Sequence, residues 1–182
     1  MSDFIEIVNQ NDEVIGKKRK DLVHKDGDWH RVAHVWVINP KGEILCHRRA
    51  DIKKMFPSLW DVIIGGHLDI GETYEEAAKR ELEEEVGIDD YDSLVEIGKW
   101  KGIPNPNQPQ NKEFIKIFAI RCDRGVETLK PKRDEISQLK FIKLKEIEEI
   151  SKDEKRRKKF VSFVYFNEIL PELKKFIRKF NS

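Results

Sequence analysis

Alternating apolar and β-branched positions mark a series of short strands along this chain, and one change of period marks a helix. Residues 4–8 and 14–18 read as a hairpin around Asn9-Gln10-Asn11-Asp12-Glu13. Residues 32–38 are rich in β-formers, Asn39-Pro40-Lys41-Gly42 is a turn, and 44–48 return as a strand. Further strands are expected at 61–64, 94–100, 114–121 and 139–144. At Thr73 the pattern becomes helical. Thr73 and Glu76 form a capping box, Ala77, Ala78, Leu82 and Val86 follow at helical spacing, and Gly87 stands where a left-handed cap belongs. The helix predicted from about Thr73 to Val86 is the only one expected before residue 144. Between Lys101 and Lys112, three prolines and several amides predict a long loop of the kind used for binding. Toward the C-terminus, Phe160, Phe163, Phe166, Ile169, Leu173, Phe176 and Phe180 recur at helical spacing, which predicts helices docked on the sheet, with Pro171 starting a second one.

The predicted helix carries the candidate chemistry. At ~100° per residue, Glu81, Glu84 and Glu85 fall within an arc of roughly 100° beside the apolar stripe. Carboxylates held that close repel one another unless a cation sits among them, and their oxygens are the ligands that Mg²⁺ or Mn²⁺ prefer. Glu72, just before the helix, reaches the same end, whereas Glu75, Glu76 and Glu83 read as a solvated face.

The string Gly66, Glu72, Arg80-Glu81-Leu82, Glu84-Glu85 and Gly87-Ile88, with its spacing, resembles the Nudix box at every specified position. The resemblance implies an α+β Nudix fold, a mixed β-sheet sandwiched between α-helices (α/β/α). It also implies Mg²⁺-dependent hydrolysis, with Mn²⁺ as a substitute, of a phosphoanhydride in a nucleoside diphosphate-X or related organic diphosphate. Glu81, Glu84 and Glu85 would be the metal ligands, Glu72 and Arg80 would support them, and Glu81 is a candidate general base. The flanks, among them Leu22-Val23-His24, Trp29-His30-Arg31, Pro57-Ser58-Leu59-Trp60-Asp61 and Gly66-His67, are similar to the isopentenyl-diphosphate-isomerase-like branch, and the resemblance covers roughly residues 4–150. The isomerases carry a catalytic cysteine where this chain has Gly65. They also bind a metal through histidines and a glutamate pair, for which His24, His30, His67 and Glu113 are the counterparts, with Asn111 replacing the second acid. A missing cysteine and an intact glutamate set favour a hydrolase over an isomerase. A nucleotide sensor without turnover is the third reading.

Arg48 and Arg49 offer guanidinium forks for phosphate, and strand alternation lets only one of them face the site, with Gly65 and Gly66 as further substrate contacts. His34 and His47 read as structural, and core packing is the default for the four tryptophans. Length and composition fit one domain over residues 1–182: a hairpin extension (1–30), a core (31–150) and C-terminal helices (151–182). The net charge of +1 gives no general argument for nucleic acid or membrane. Residues 151–182 are nonetheless basic, with ten Lys or Arg against four acids, which reads as the solvated face of packed helices rather than an RNA site. No apolar run approaches membrane-spanning length and no signal pattern opens the chain, so a cytoplasmic protein acting on a small-molecule diphosphate is expected, with homodimerisation left open. Cys46 and Cys122 read as buried thiols rather than a disulfide.

Overall fold

The computed structural model describes residues 3–105, 108–161 and 163–180. Strands β1 (Phe4–Val8) and β2 (Val14–Arg19) form the expected hairpin, and the Asn9 side-chain oxygen tightens its turn by accepting the N–H groups of Asn11 and Glu13. A helix that the sequence reading lacks comes next: α1 (Lys20–Asp26), closed by Gly27 in a left-handed conformation. Two turns with Val23 as the one buried side chain show no readable period.

Strand β3 (Trp29–Ile38) organises the rest. One of its edges pairs along its whole length with parallel β8 (Lys112–Arg121), whose outer edge is covered by β7 (Val95–Gly102). Three strands share the other edge in succession: β1 at His30, β6 (Ile64–His67) opposite residues 32–35, and β4 (Glu43–Arg49) only at Ile38 and Ile44. Strand β4 continues instead with β9 (Ile136–Lys143) and the two-residue β5 (Trp60–Asp61). Beyond their shared turn β3 and β4 therefore part, and a cavity opens between them. The run 61–64, expected as one strand, is divided by this split. Asp61 accepts the N–H of Ile63, and the chain crosses from the β4 side to the β3 side.

Alternation sorts β3 between two cores. Val32, Trp36 and Ile38 face the layer of α3 (Leu144–Lys152) and α5 (Phe166–Phe180), whereas Ala33, Val35 and Val37 face α2 (Tyr74–Val86). This mixed sheet between helical layers is the expected α/β/α arrangement. Helix α2 begins with the predicted capping box of Thr73 and Glu76 and ends on Gly87 at φ 70°. It buries Ala77, Ala78, Leu82 and Val86. Pro171 does not start a helix. It lies inside α5, and the carbonyl that its missing N–H would have bonded belongs to exposed Asn167, where water can serve instead. The basic C-terminal region is interleaved with acids: Lys174 pairs with Glu148, and Arg156 in the short α4 (Glu154–Arg157) pairs with Glu146. Within the predicted 101–112 loop, residues 106 and 107 lie outside the described residues. None of the described helices is long and apolar enough to cross a membrane.

Candidate active site

The cavity between β3 and β4 has a volume of about 770 Å³. Helix α2 supplies one wall. Its buried face carries Glu81 and Glu85 alongside Leu82 and Val86, so two carboxylates are embedded at the edge of an apolar core. Side chains four apart on a helix lie about 5–6 Å apart at Cβ. Two charges at that distance repel by roughly 3 kcal/mol at an effective dielectric of ~20. Burial pushes the Glu85 carboxyl well above its usual range, and Glu81, Glu135 and Asp61 push it further, with Arg49 opposing. Glu81 is raised by burial too, against the pull of Arg80. Buried, mutually repelling carboxylates on a cavity wall are a donor set that fits a hard divalent cation. Glu84 does not join them in the wall: its side chain is 38% exposed, with one oxygen 3.9 Å from Arg80.

Arg80 holds this wall in place. Its guanidinium donates to both oxygens of Glu72, at 2.7 and 3.0 Å, to Glu81 Oε1 at 2.7 Å and to the His67 carbonyl at 3.0 Å. Burial raises the Glu72 carboxyl, but the hydrogen bonds from Arg80 and the Asp69 N–H outweigh it and leave Glu72 below its ordinary value. Gly66 packs against the Glu81 carboxylate so tightly that a Cβ there would collide with it.

A second wall adjoins the first through the His67 carbonyl that Arg80 holds. His24 from α1, His30 from β3 and His67 from β6 place one ring nitrogen each within 4.8 Å of one another, the group of metal-ligating type found among the described residues. The His24 and His67 Nε2 atoms are 3.2 Å apart. His30 Nδ1 bonds the Asp28 carbonyl, while its buried Nε2 has no hydrogen-bond partner and lies 3.9 Å from Glu113 Oε1. Register explains the gathering, because His30 is paired with Glu113 across β3 and β8, and His67 with Val32 across β6 and β3. Burial lowers all three histidines, His30 to about 4, so they are neutral imidazoles with lone pairs to give. Glu113 is raised to about 7 by burial, and Asn111 donates to it at 2.6 Å while its own Oδ1 remains without a partner. Three imidazoles, a carboxylate and an amide oxygen suit a borderline transition ion.

Of the arginine pair, Arg49 lines the cavity and Arg48 is not among the lining residues; Arg48 Nε donates to the Ser58 carbonyl and Arg49 Nε to that of Met55. Gly65 and Gly66 both line the cavity. At Gly65, φ is 157° and a Cβ would strike the Ala33 carbonyl oxygen, so the backbone leaves no room for the side chain that the isomerases need there. Sequence reasoning missed several wall residues: Lys20, Lys53, Asp61, Glu135 and Tyr165. It also read His34 and His47 as structural, yet both line the cavity. Asp61 and His47 share a face because they are paired across β4 and β5, a register invisible before the strand split is known. Burial raises Asp61 to about 6 and lowers His47 to about 3. The loop after β7 contributes Pro104, Asn105, Gln108, Gln110 and Asn111.

Residues 28–164 match the NUDIX domain family model. The chain is 36% identical over 122 residues to an uncharacterised Nudix hydrolase of Nostoc, covering 66% of this chain and 70% of that protein. It is 30% identical over 151 residues to an isopentenyl-diphosphate Delta-isomerase of Photorhabdus laumondii, covering 82% of each. In fold it is similar to a crystal structure from Deinococcus radiodurans at 23% identity and a TM-score of 0.67, covering 98% of this chain and 99% of that one. With the family model spanning most of its length, and the glutamates and Arg80 assembled on one helix, the chain belongs to the Nudix hydrolase family.

Proposed function

We propose that this protein hydrolyses a phosphoanhydride bond in a nucleoside diphosphate-X or related organic diphosphate, using Mg²⁺, with Mn²⁺ able to replace it. The observation that carries this reading is the burial of Glu81 and Glu85 on the wall of a cavity that cationic side chains also line. Held by Glu81 and Glu85, a divalent ion would neutralise the diphosphate and lower the pKa of the attacking water. The chain's own groups do the rest. Lys20, Arg49 and Lys53 line the cavity and bind the phosphate oxygens, and Glu72 and Arg80 keep Glu81 oriented. Glu81, already raised by burial, shares ligation or takes the proton of the nucleophile, and Glu84 contributes from the rim. His24, His30, His67 and Glu113 would hold a second ion on the adjoining wall.

That histidine set also favours an isomerase reading, as does the Photorhabdus relative. Against it stand Gly65, which cannot carry a cysteine on this backbone, and the retained glutamates. The test is to incubate the purified protein with Mg²⁺ in ¹⁸O-labelled water and, in parallel, in D₂O. The panel comprises nucleoside triphosphates, nucleotide sugars, dinucleotides, coenzyme A and isoprenoid diphosphates. Cleavage with one ¹⁸O entering a phosphate product is expected. Solvent deuterium entering an intact isoprenoid diphosphate, with no cleavage of any compound, would overturn the reading.

A further inference from the structure

His34 lies on the same face of β3 as His30, opposite Gly65 of β6, and is partly exposed within the cavity wall. Its Nδ1 is 2.5 Å from the hydroxyl of Tyr165, which is 4% exposed. Among the described residues, His34 is the side chain in hydrogen-bond contact with that hydroxyl. A buried neutral phenol must place its one O–H on an acceptor, and the acceptor in reach is His34 Nδ1, so Tyr165 donates and Nδ1 accepts. A neutral imidazole that accepts at Nδ1 carries its proton on Nε2. Burial keeps His34 neutral by lowering it to about 4, and keeps Tyr165 protonated by raising it well above its ordinary value. The result is a fixed, uncharged N–H donor in the wall of a cavity that Ile63, Phe163 and Val164 also line.

The segment carrying Tyr165 is anchored. Trp60 N–H donates to the Lys159 carbonyl, Val161 N–H donates to the Trp60 carbonyl, and Phe166 packs on Trp36 at 5.7 Å between rings. A donor held this rigidly discriminates. An aliphatic tail would strip water from it and return no hydrogen bond, whereas a carbonyl oxygen or ring nitrogen would satisfy it.

We propose that His34, held in one tautomer by Tyr165, is a specificity-determining residue that donates to an uncharged hydrogen-bond acceptor on the organic group attached to the diphosphate. This deepens the hydrolase reading and rests on it for the diphosphate anchor. Hydrolysis-resistant ligands test it through binding alone. Isothermal titration with Mg²⁺ would compare the α,β-methylene diphosphates of uridine, adenosine and isopentenol with methylenebisphosphonate, which has no organic group. In the wild type, the better nucleoside compound should bind at least about tenfold more tightly than the isopentenyl one. His34→Leu should remove that advantage and leave methylenebisphosphonate unchanged. His34→Gln, which keeps an N–H, should retain most of it, and Tyr165→Phe should fall between. An isopentenyl compound that binds as well as the better nucleoside compound would overturn the proposal, as would a His34→Leu loss spread evenly over all four ligands. If none of the four binds, the diphosphate reading itself fails and takes the proposal with it.

Discussion

The two walls of the cavity are built in opposite ways. The glutamate wall comes from one helix and the residues just before it, with Glu72, Arg80, Glu81 and Glu85 inside 14 positions and Arg80 tying Glu72 to Glu81. The histidine wall is assembled from α1, β3 and β6, with His24 and His67 separated by 43 positions, and receives Glu113 from β8. Their electrostatics are opposite too. Burial raises Glu81 and Glu85, which favours a cation among them, whereas it lowers the histidines, which leaves them as neutral ligands. One cavity thus offers a hard site beside a borderline one, facing the same substrate space.

The sharpest way to break that contrast is Glu85→Gln, which keeps size and removes charge. It should lower kcat by about 10²- to 10³-fold while leaving the metal content of the histidine site, read by elemental analysis, unchanged. His30→Gln should do the reverse to metal content. Equal losses at both sites in either variant would mean that the walls are one site. Next in size is Arg80→Lys, which keeps the charge but cannot reach Glu72, Glu81 and the His67 carbonyl at once. A roughly tenfold fall in kcat/KM is expected, and an unchanged value would show that the fork does not position Glu81. Gly65→Cys probes the strand between the walls. It should cost about 1–3 kcal/mol in denaturant unfolding and confer no isomerase activity, because the Ala33 carbonyl occupies the side chain's place.

The smallest effect is a pH dependence. In metal-free protein, Glu113 at about 7 and the raised Glu81 and Glu85 hold protons that the unfolded chain releases above about 4.5. The Glu113 contribution to stability is complete below about 4.5 and lost as pH rises through about 7, and those of Glu81 and Glu85 likewise decline above their unfolded value. His30 runs the other way, because its unfolded value of 6.5 exceeds its folded value of about 4, so stability is lost as pH falls through that window. A bound cation replaces protons at both walls. Added Mn²⁺ should therefore raise Tm by a few degrees or more at pH 7.5 and by little at pH 5. A shift that is equal at both pH values would place the ion elsewhere.

The same contrast explains what could be read from sequence. The glutamate wall was legible because helical spacing, the Thr73 cap and Gly87 are all local signals, and α2 has nearly the expected limits. The histidines were found through family resemblance alone, since their proximity depends on strand register. Asp61, Glu135 and His47 were missed because the parting of β4 from β3 brings them to the cavity, and no short-range pattern encodes it. Helix α1 was missed because seven residues are too few to show a period. Pro171 misled because its helix tolerates it over an exposed carbonyl.

Diffraction from crystals grown with Mn²⁺ and methylenebisphosphonate, with anomalous differences recorded at the manganese edge, addresses both walls at once. The expected result is one peak joining Glu81 and Glu85 to the bisphosphonate and a second among His24, His30, His67 and Glu113. Crystals with bisphosphonate in the cavity, no peak beside Glu81 and Glu85, and both carboxylates turned to bulk solvent would contradict it.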